Sequence, residues 1–285
     1  AAYLDMSHPE IEEFLDVRKP TGGDINRKST NLHHAVVVSD KFMRLITKAT
    51  QESGFDDSWD LIDPHSKEVV KTVPAKALWV KLLQNRVETG EPYIMFGDTV
   101  QAALPEYQRN MGLKVHQSNL CSEITLPTSG DRTAVCCLSS VNLEEYDSWC
   151  NDDQFIPDLI RMLDNVLSHF IEHAPDALSK AKFSAMRERS VGLGAMGFHA
   201  YLQRHNIAFE GVMAKSFNQR AFYRIKSEAE KATRMLAEER GECPDGEGYG
   251  IRNAHLVLFV LILAQVLSLI VPMLSLKRQN QAQVC

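Results

Sequence analysis

Ser118-Asn119-Leu120-Cys121-Ser122-Glu123-Ile124, with Pro127 close behind, sets an amide, a thiol and a carboxylate two residues apart. In extended chain Asn119, Cys121 and Glu123 would all point to one side. A half-buried strand with scattered polar residues has the same spacing, so on pattern alone both readings stand. Working outward, Thr133 to Leu143 is also a poor helix candidate and carries the adjacent pair Cys136 and Cys137. Helical apolar spacing appears at Asp40 to Lys48, Ala75 to Thr89, Phe155 to His173 and Met213 to Arg240. Gly90 and Pro92 stop the second of these, and Gly241 closes the last. Ser7 reads as the N-cap of a helix through His8 to Leu15 that ends near Val17. The apolar run Ala35-Val36-Val37-Val38 suits a buried strand, reached through a turn at Lys19 to Asp24, while Asp56 to Thr72 is mixed. Helices alternating with short strands predict an α/β fold, and no internal repeat is visible.

The 285 residues are 44% hydrophobic, enough for one large core or two modest ones. With 31 basic against 37 acidic residues the formal charge is -6, so no electrostatic footprint for nucleic acid is expected. Cys121, Cys136, Cys137, Cys150, Cys243 and Cys285 are sparse, which favours a reducing compartment, the cytoplasm. The first residues lack an initiator Met and any signal-peptide pattern, and the chain looks cut from something longer.

Two motifs invite other functions. Gly192-Leu193-Gly194-Ala195-Met196-Gly197 fits the dinucleotide pattern, with Glu210 at a suitable distance for a ribose, which would make an oxidoreductase. The charged stretch Lys182 to Ser190 before it is no buried strand, so these glycines are expected to let a helix pack closely. His169-Phe170-Ile171-Glu172-His173 fits a zinc-hydrolase pattern, but Leu159, Met162, Leu163, Val166 and Phe170 make an ordinary amphipathic helix, and no metal is expected.

The stretch from Ser118 to Ile124, followed by Leu126-Pro127-Thr128, closely resembles the active-site loop of class I ribonucleotide reductase large subunits. His8-Pro9-Glu10-Ile11, Thr89-Gly90-Glu91-Pro92-Tyr93, Cys136-Cys137-Leu138-Ser139-Ser140-Val141-Asn142-Leu143 and Arg189-Ser190-Val191-Gly192-Leu193-Gly194 extend the resemblance in the family's order to about Val257. It implies part of a ten-stranded α/β barrel over residues 1–257, with the Cys121 loop running into the barrel's centre.

The resemblance implies roles as well. A thiyl radical on Cys121 removes the 3′ hydrogen of a ribonucleoside diphosphate, Glu123 is the base for the 3′ hydroxyl, and Asn119 hydrogen-bonds the ribose while the 2′ hydroxyl leaves as water. Reduction draws two electrons from a cysteine pair that closes to a disulfide. The register Ala-x-Cys-x-Leu-Ser selects Cys136 as one member, facing opposite to Cys137 on a strand, and the other member lies upstream of Ala1 in the family. Cys137, Cys150 and Cys243 are then packing residues. No cofactor is implied in this chain: the radical comes from a metal-containing small subunit, and deoxynucleotides or ATP act as effectors. A homodimer of large subunits and a thioredoxin-type reductant complete the implied partners, and a catalytically incomplete nucleotide-binding fragment is the alternative. The loop that transmits effector identity precedes Ala1 in such relatives, so Thr21 to Lys28, despite its glycines, is expected to be a solvated turn.

Leu256 to Leu276 is long and apolar enough to span a membrane and precedes Lys277 and Arg278. The family instead continues after Asn253-Ala254-His255-Leu256 with a Pro-, Asn- and Ser-rich loop for substrate phosphate. A one-base frame slip near Val257 permits Ser-Ile-Cys-Pro-Asn-Ser-Ser-Ser-Ser over Val257 to Val266, like the missing loop. Residues 258–285 are therefore expected to be an out-of-frame tail and no genuine membrane span.

Overall fold

The computed structural model describes residues 1–257, so the apolar tail lies outside the described residues. The chain packs as two compact units, one of Ala1–Leu104 with Val115–Thr125, the other of Pro105–Lys114 with 126–257.

In the first unit β1 (Ala2–Asp5) is followed by α1 (Ile11–Leu15), β2 (His34–Val38), α2 (Asp40–Gln51), β3 (Ser58–Ile62), β4 (Val69–Pro74), α3 (Ala75–Thr89), β5 (Tyr93–Phe96) and α4 (Gly97–Ala103). The mixed stretch after Asp56 is the antiparallel hairpin β3–β4. The other strands form a parallel sheet in the order β1-β2-β5, each pair joined through helices as parallel neighbours require. Central β2 is buried at four of its five residues, which is why its sequence is a continuous apolar run. Met6, Ile11, Val36, Val38, Phe42, Trp59 and Leu82 share one core, with the Phe42 and Trp59 rings edge to face at 4.9 Å. Each such buried aromatic or aliphatic side chain contributes about 1.5–3 kcal/mol.

Helix ends follow local chemistry where the signals are strong. Ser39 Oγ accepts the N–H of Phe42 at 3.2 Å and starts α2, and Gly90 in the left-handed region ends α3. Ser7 does not cap α1. Its N–H and hydroxyl both turn back to Asp5 Oδ1, at 2.7 and 2.6 Å, and the helix starts a turn later, at Ile11, behind Glu10. The Thr21 to Lys28 segment is largely exposed, with Asp24 Oδ1 accepting the N–H of Asn26 at 2.9 Å.

The second unit runs through α5 (Glu106–Asn110), β6 (Cys137–Asn142), α6 (Tyr146–Trp149), α7 (Phe155–His173), α8 (Ser179–Glu188), β7 (Val191–Met196), α9 (Phe198–Arg204) and α10 (Val212–Arg240). Strands β6 and β7 are parallel over six residue pairs, and the chain at His255 to Val257 returns along the other side of β7. Helix α7 packs on this sheet and α10 on α7, and Ile160, Leu163, Leu167, Phe217, Ile225 and Leu236 join one core with β6 and β7. Among the described residues, every strand pair other than the hairpin is parallel, in keeping with an α/β fold.

The glycine motif is placed differently from the expectation. Gly192 and Gly194 lie inside buried β7, not on a helix, and only Gly197 stands at the turn into α9. A pyrophosphate needs the glycines in the loop between strand and helix, which this placement does not supply. His173 Nδ1 faces the carbonyl of His169 at 2.9 Å at the end of α7. Among the described residues no group of three or more His, Cys, Asp or Glu is arranged to hold a metal ion, and no helix is long and apolar enough to cross a membrane.

Candidate active site

Asn119, Cys121 and Glu123 all fall in Val115–Thr125, a strand-free segment of the first unit. The structure brings them together by a turn, not by the extended chain that two-residue spacing suggests. The N–H of Ser122 donates to Asn119 O at 3.2 Å, and Ser122 takes φ +63°. That left-handed conformation is uncommon for a residue with a side chain and has to be held from outside.

The Asn119 side chain holds it. Its Nδ2 donates to Glu123 Oε1 at 2.7 Å, and its Oδ1 accepts the N–H groups of Glu123 at 3.1 Å and Ile124 at 3.2 Å. Ser118 Oγ donates to Ile124 O at 2.6 Å and closes the base of the turn. From β1, the Tyr3 hydroxyl donates to Asn119 O at 2.9 Å. Nothing local in the sequence signals Tyr3, which lies 116 positions away.

The Cys121 thiol is exposed at the apex. Burial of the sulfur by its immediate neighbours and then the Glu123 carboxylate beside it push the thiol above its ordinary range, so at neutral pH it stays protonated. Glu123 Oε2 is buried and has no hydrogen-bond partner, in contrast to Oε1. A buried carboxylate oxygen left without a donor costs stability, and such atoms concentrate where a ligand supplies the missing hydrogen. The turn thus sets a protonated thiol, able to donate a hydrogen atom, beside a carboxylate oxygen with free acceptor capacity.

Cys136 stands apart from this turn in sequence and belongs to the second unit, one residue before β6 begins, with its Sγ 3.9 Å from Cys137 O. Cys137 and Cys150 are partly buried against the apolar core, and Cys243 is fully buried, as packing residues are.

A sequence model described as ribonucleotide reductase, barrel domain, matches residues 1–258. The chain belongs to the ribonucleotide reductase barrel-domain family. A Frog virus 3 (isolate Goorha) protein, provisionally named a ribonucleoside-diphosphate reductase large subunit, is 50% identical over 90% of this chain and 44% of its own length. The ribonucleoside-diphosphate reductase large subunit of Invertebrate iridescent virus 3 is 43% identical over 90% of this chain and 48% of its own. Among solved structures, the Actinobacillus ureae class Id ribonucleotide reductase alpha subunit superposes with a TM-score of 0.77 at 31% identity, over 100% of this chain and 53% of that one. The chain spans about half the length of the ribonucleotide reductase large subunits it matches.

Proposed function

We propose that this chain carries the ribose-reducing site of a class I ribonucleoside-diphosphate reductase, with residues 1–257 forming part of its catalytic barrel domain. The observation that supports it is the clasped turn, in which an exposed neutral Cys121 thiol neighbours a Glu123 carboxylate whose Oε2 has no donor. As a thiyl radical, Cys121 takes the 3′ hydrogen atom and becomes a thiol, leaving the substrate radical at C3′. Glu123 accepts the 3′ hydroxyl proton, and the 2′ hydroxyl departs as water. A cysteine pair that includes Cys136 closes to a disulfide and supplies two electrons and two protons, one proton leaving with the 2′ hydroxyl and one hydrogen adding at C2′. Glu123 then returns its proton to the 3′ oxygen, and Cys121 returns the hydrogen atom to C3′ and is a thiyl radical again. Asn119 holds Glu123 and presents its amide to the ribose.

The partners that go with this chemistry are a metal-containing small subunit that generates the radical, a second large subunit, and a thioredoxin-type reductant. Deoxynucleotide or ATP effectors regulate it, and the compartment is the cytoplasm. The experiment is deoxyribonucleotide production by the intact enzyme with and without Cys121→Ser. Loss of product at unchanged substrate binding is expected, and unchanged production would end the assignment.

A further inference from the structure

The parallel register places Tyr3, Ala35 and Tyr93 in one row across β1, β2 and β5. Residues paired across a parallel sheet share a face, so the two tyrosines stand on the same side with only a methyl group between them. Ala35 is fully buried, and Tyr93 stacks on His33 with ring centroids 6.4 Å apart. Just before β5, Glu91 reaches the start of β2, taking the His34 N–H at 3.2 Å, and pairs with the Arg18 guanidinium at 3.3 Å. The row is therefore a fixed floor, and the Tyr3 hydroxyl reaches from it to the carbonyl of Asn119 at 2.9 Å.

That carbonyl also takes the N–H of Ser122, the bond that defines the turn. We propose that Tyr3 is a positioning residue: its hydroxyl pins the Asn119 carbonyl to the sheet and thereby sets where the Cys121 sulfur sits relative to Glu123. This rests on the proposed role of Cys121, but its chemistry is separable from turnover. Burial of the phenol is the largest cause of the raised Tyr3 pKa, and the nearby Glu123 and Cys121 add to it.

The test is the pH profile of Cys121 alkylation by iodoacetamide in the full chain, read at the Cys121 peptide by mass spectrometry, with buried Cys243 as internal reference. In Tyr3→Phe the turn is released from the sheet, the sulfur gains water and moves away from Glu123, and the alkylation midpoint falls by about half a pH unit or more. Hydrogen exchange at the Ser122 and Ile124 N–H groups accelerates at least tenfold, while Tyr223→Phe, at an exposed position on α10, changes neither. A purely structural role for Tyr3 would lower thermal stability and leave the Cys121 midpoint in place, and that result overturns the proposal. If Tyr3→Phe does not fold, 3-fluorotyrosine at position 3 keeps the donor and the wild-type hydrogen-exchange protection is expected. Accelerated exchange in that variant also overturns it. Failure here leaves the reductase reading standing, because that reading is decided by product formation in Cys121→Ser.

Discussion

Asn119 and Glu123 are joined side chain to side chain at 2.7 Å, with Asn119 Nδ2 as the donor and Glu123 Oε1 as the acceptor. The same amide takes two backbone N–H groups on its oxygen, so one residue both folds the turn and orients the carboxylate. Asn119→Asp keeps the oxygen that accepts those N–H groups but replaces the donor with a second carboxylate oxygen facing Glu123. Two carboxylates at that separation cannot both stay ionised without cost. The Cys121 alkylation midpoint is expected to rise by about 0.5 to 1 pH unit as negative charge gathers beside the sulfur. An unchanged midpoint in Asn119→Asp, with the fold intact by circular dichroism, would show that the clasp does not govern the site.

Asp164 on α7 is a second hub, buried, that holds Arg189 at 2.9 and 2.8 Å, Arg252 at 3.1 Å, Arg240 at 3.1 Å and Asn253 at 3.1 Å. Burial alone would raise its pKa, but Arg189 and Arg252 outweigh it and hold the carboxyl below its usual range. Asp164→Ala leaves three guanidinium groups without their shared partner and is expected to cost about 3–5 kcal/mol in urea unfolding at neutral pH. Because the folded pKa is depressed, this contribution is present above the unfolded pKa and is lost as pH falls through the folded one. The stability gap between wild type and Asp164→Ala should therefore shrink on acidification below the ordinary carboxylate range. A gap that stays constant with pH would mean that ionisation of Asp164 plays no part.

The sequence discloses most where a local signal fixes a boundary. α3 ends at Thr89 because Gly90 adopts a conformation that other residues avoid, and α7 matches the periodic stretch Phe155 to His173. The alternation that predicts α/β rests on the same signals, and β2 shows as a strand because both of its faces are buried. The site was legible as a set of residues and not as a shape. Counting by twos assumes extended backbone, whereas Asn119 supplies side-chain hydrogen bonds that bend the chain and stabilise a positive φ at Ser122. Ser7 misleads for the same reason, since Asp5 competes for the groups a cap would use. Tyr3 was invisible because its partner is set by sheet register, which no local pattern encodes.

Glu188, at the end of α8, is another residue whose importance only burial reveals. Its carboxylate accepts from Ser184 Oγ at 3.0 Å and Gln108 Nε2 at 3.4 Å, yet burial dominates and pushes its pKa up to about 7. A raised folded pKa means that the folded state binds the proton more tightly than the unfolded chain. The contribution is complete below the unfolded value and is lost as pH rises through about 7. The shift corresponds to roughly 3 kcal/mol across that window. Urea unfolding between pH 5 and pH 8 should show wild type losing stability on that scale relative to Glu188→Gln, which carries no proton to lose. Parallel profiles for the two proteins would contradict a buried, protonated Glu188.

Gly197 turns the misread glycine motif into a quantitative expectation. It sits between β7 and α9 at φ +77°, and a Cβ there would lie 2.3 Å from Asn142 Oδ1 and 3.0 Å from the backbone nitrogen of Glu144. The Asn142 oxygen cannot easily give way, because it accepts the Glu144 N–H at 3.1 Å as the chain leaves β6. Gly90 has nearly the same backbone, φ +79°, but nothing within 4 Å of its missing Cβ. Gly90→Ala should therefore cost only the left-handed penalty, about 1–2 kcal/mol, whereas Gly197→Ala adds overpacking of about 1–3 kcal/mol. Thermal or urea unfolding of the two variants separates the terms. Equal losses would mean that this glycine is required for its backbone angle alone, and a larger loss at Gly197 would show that close approach of β6 and the α9 turn is what excludes every other residue.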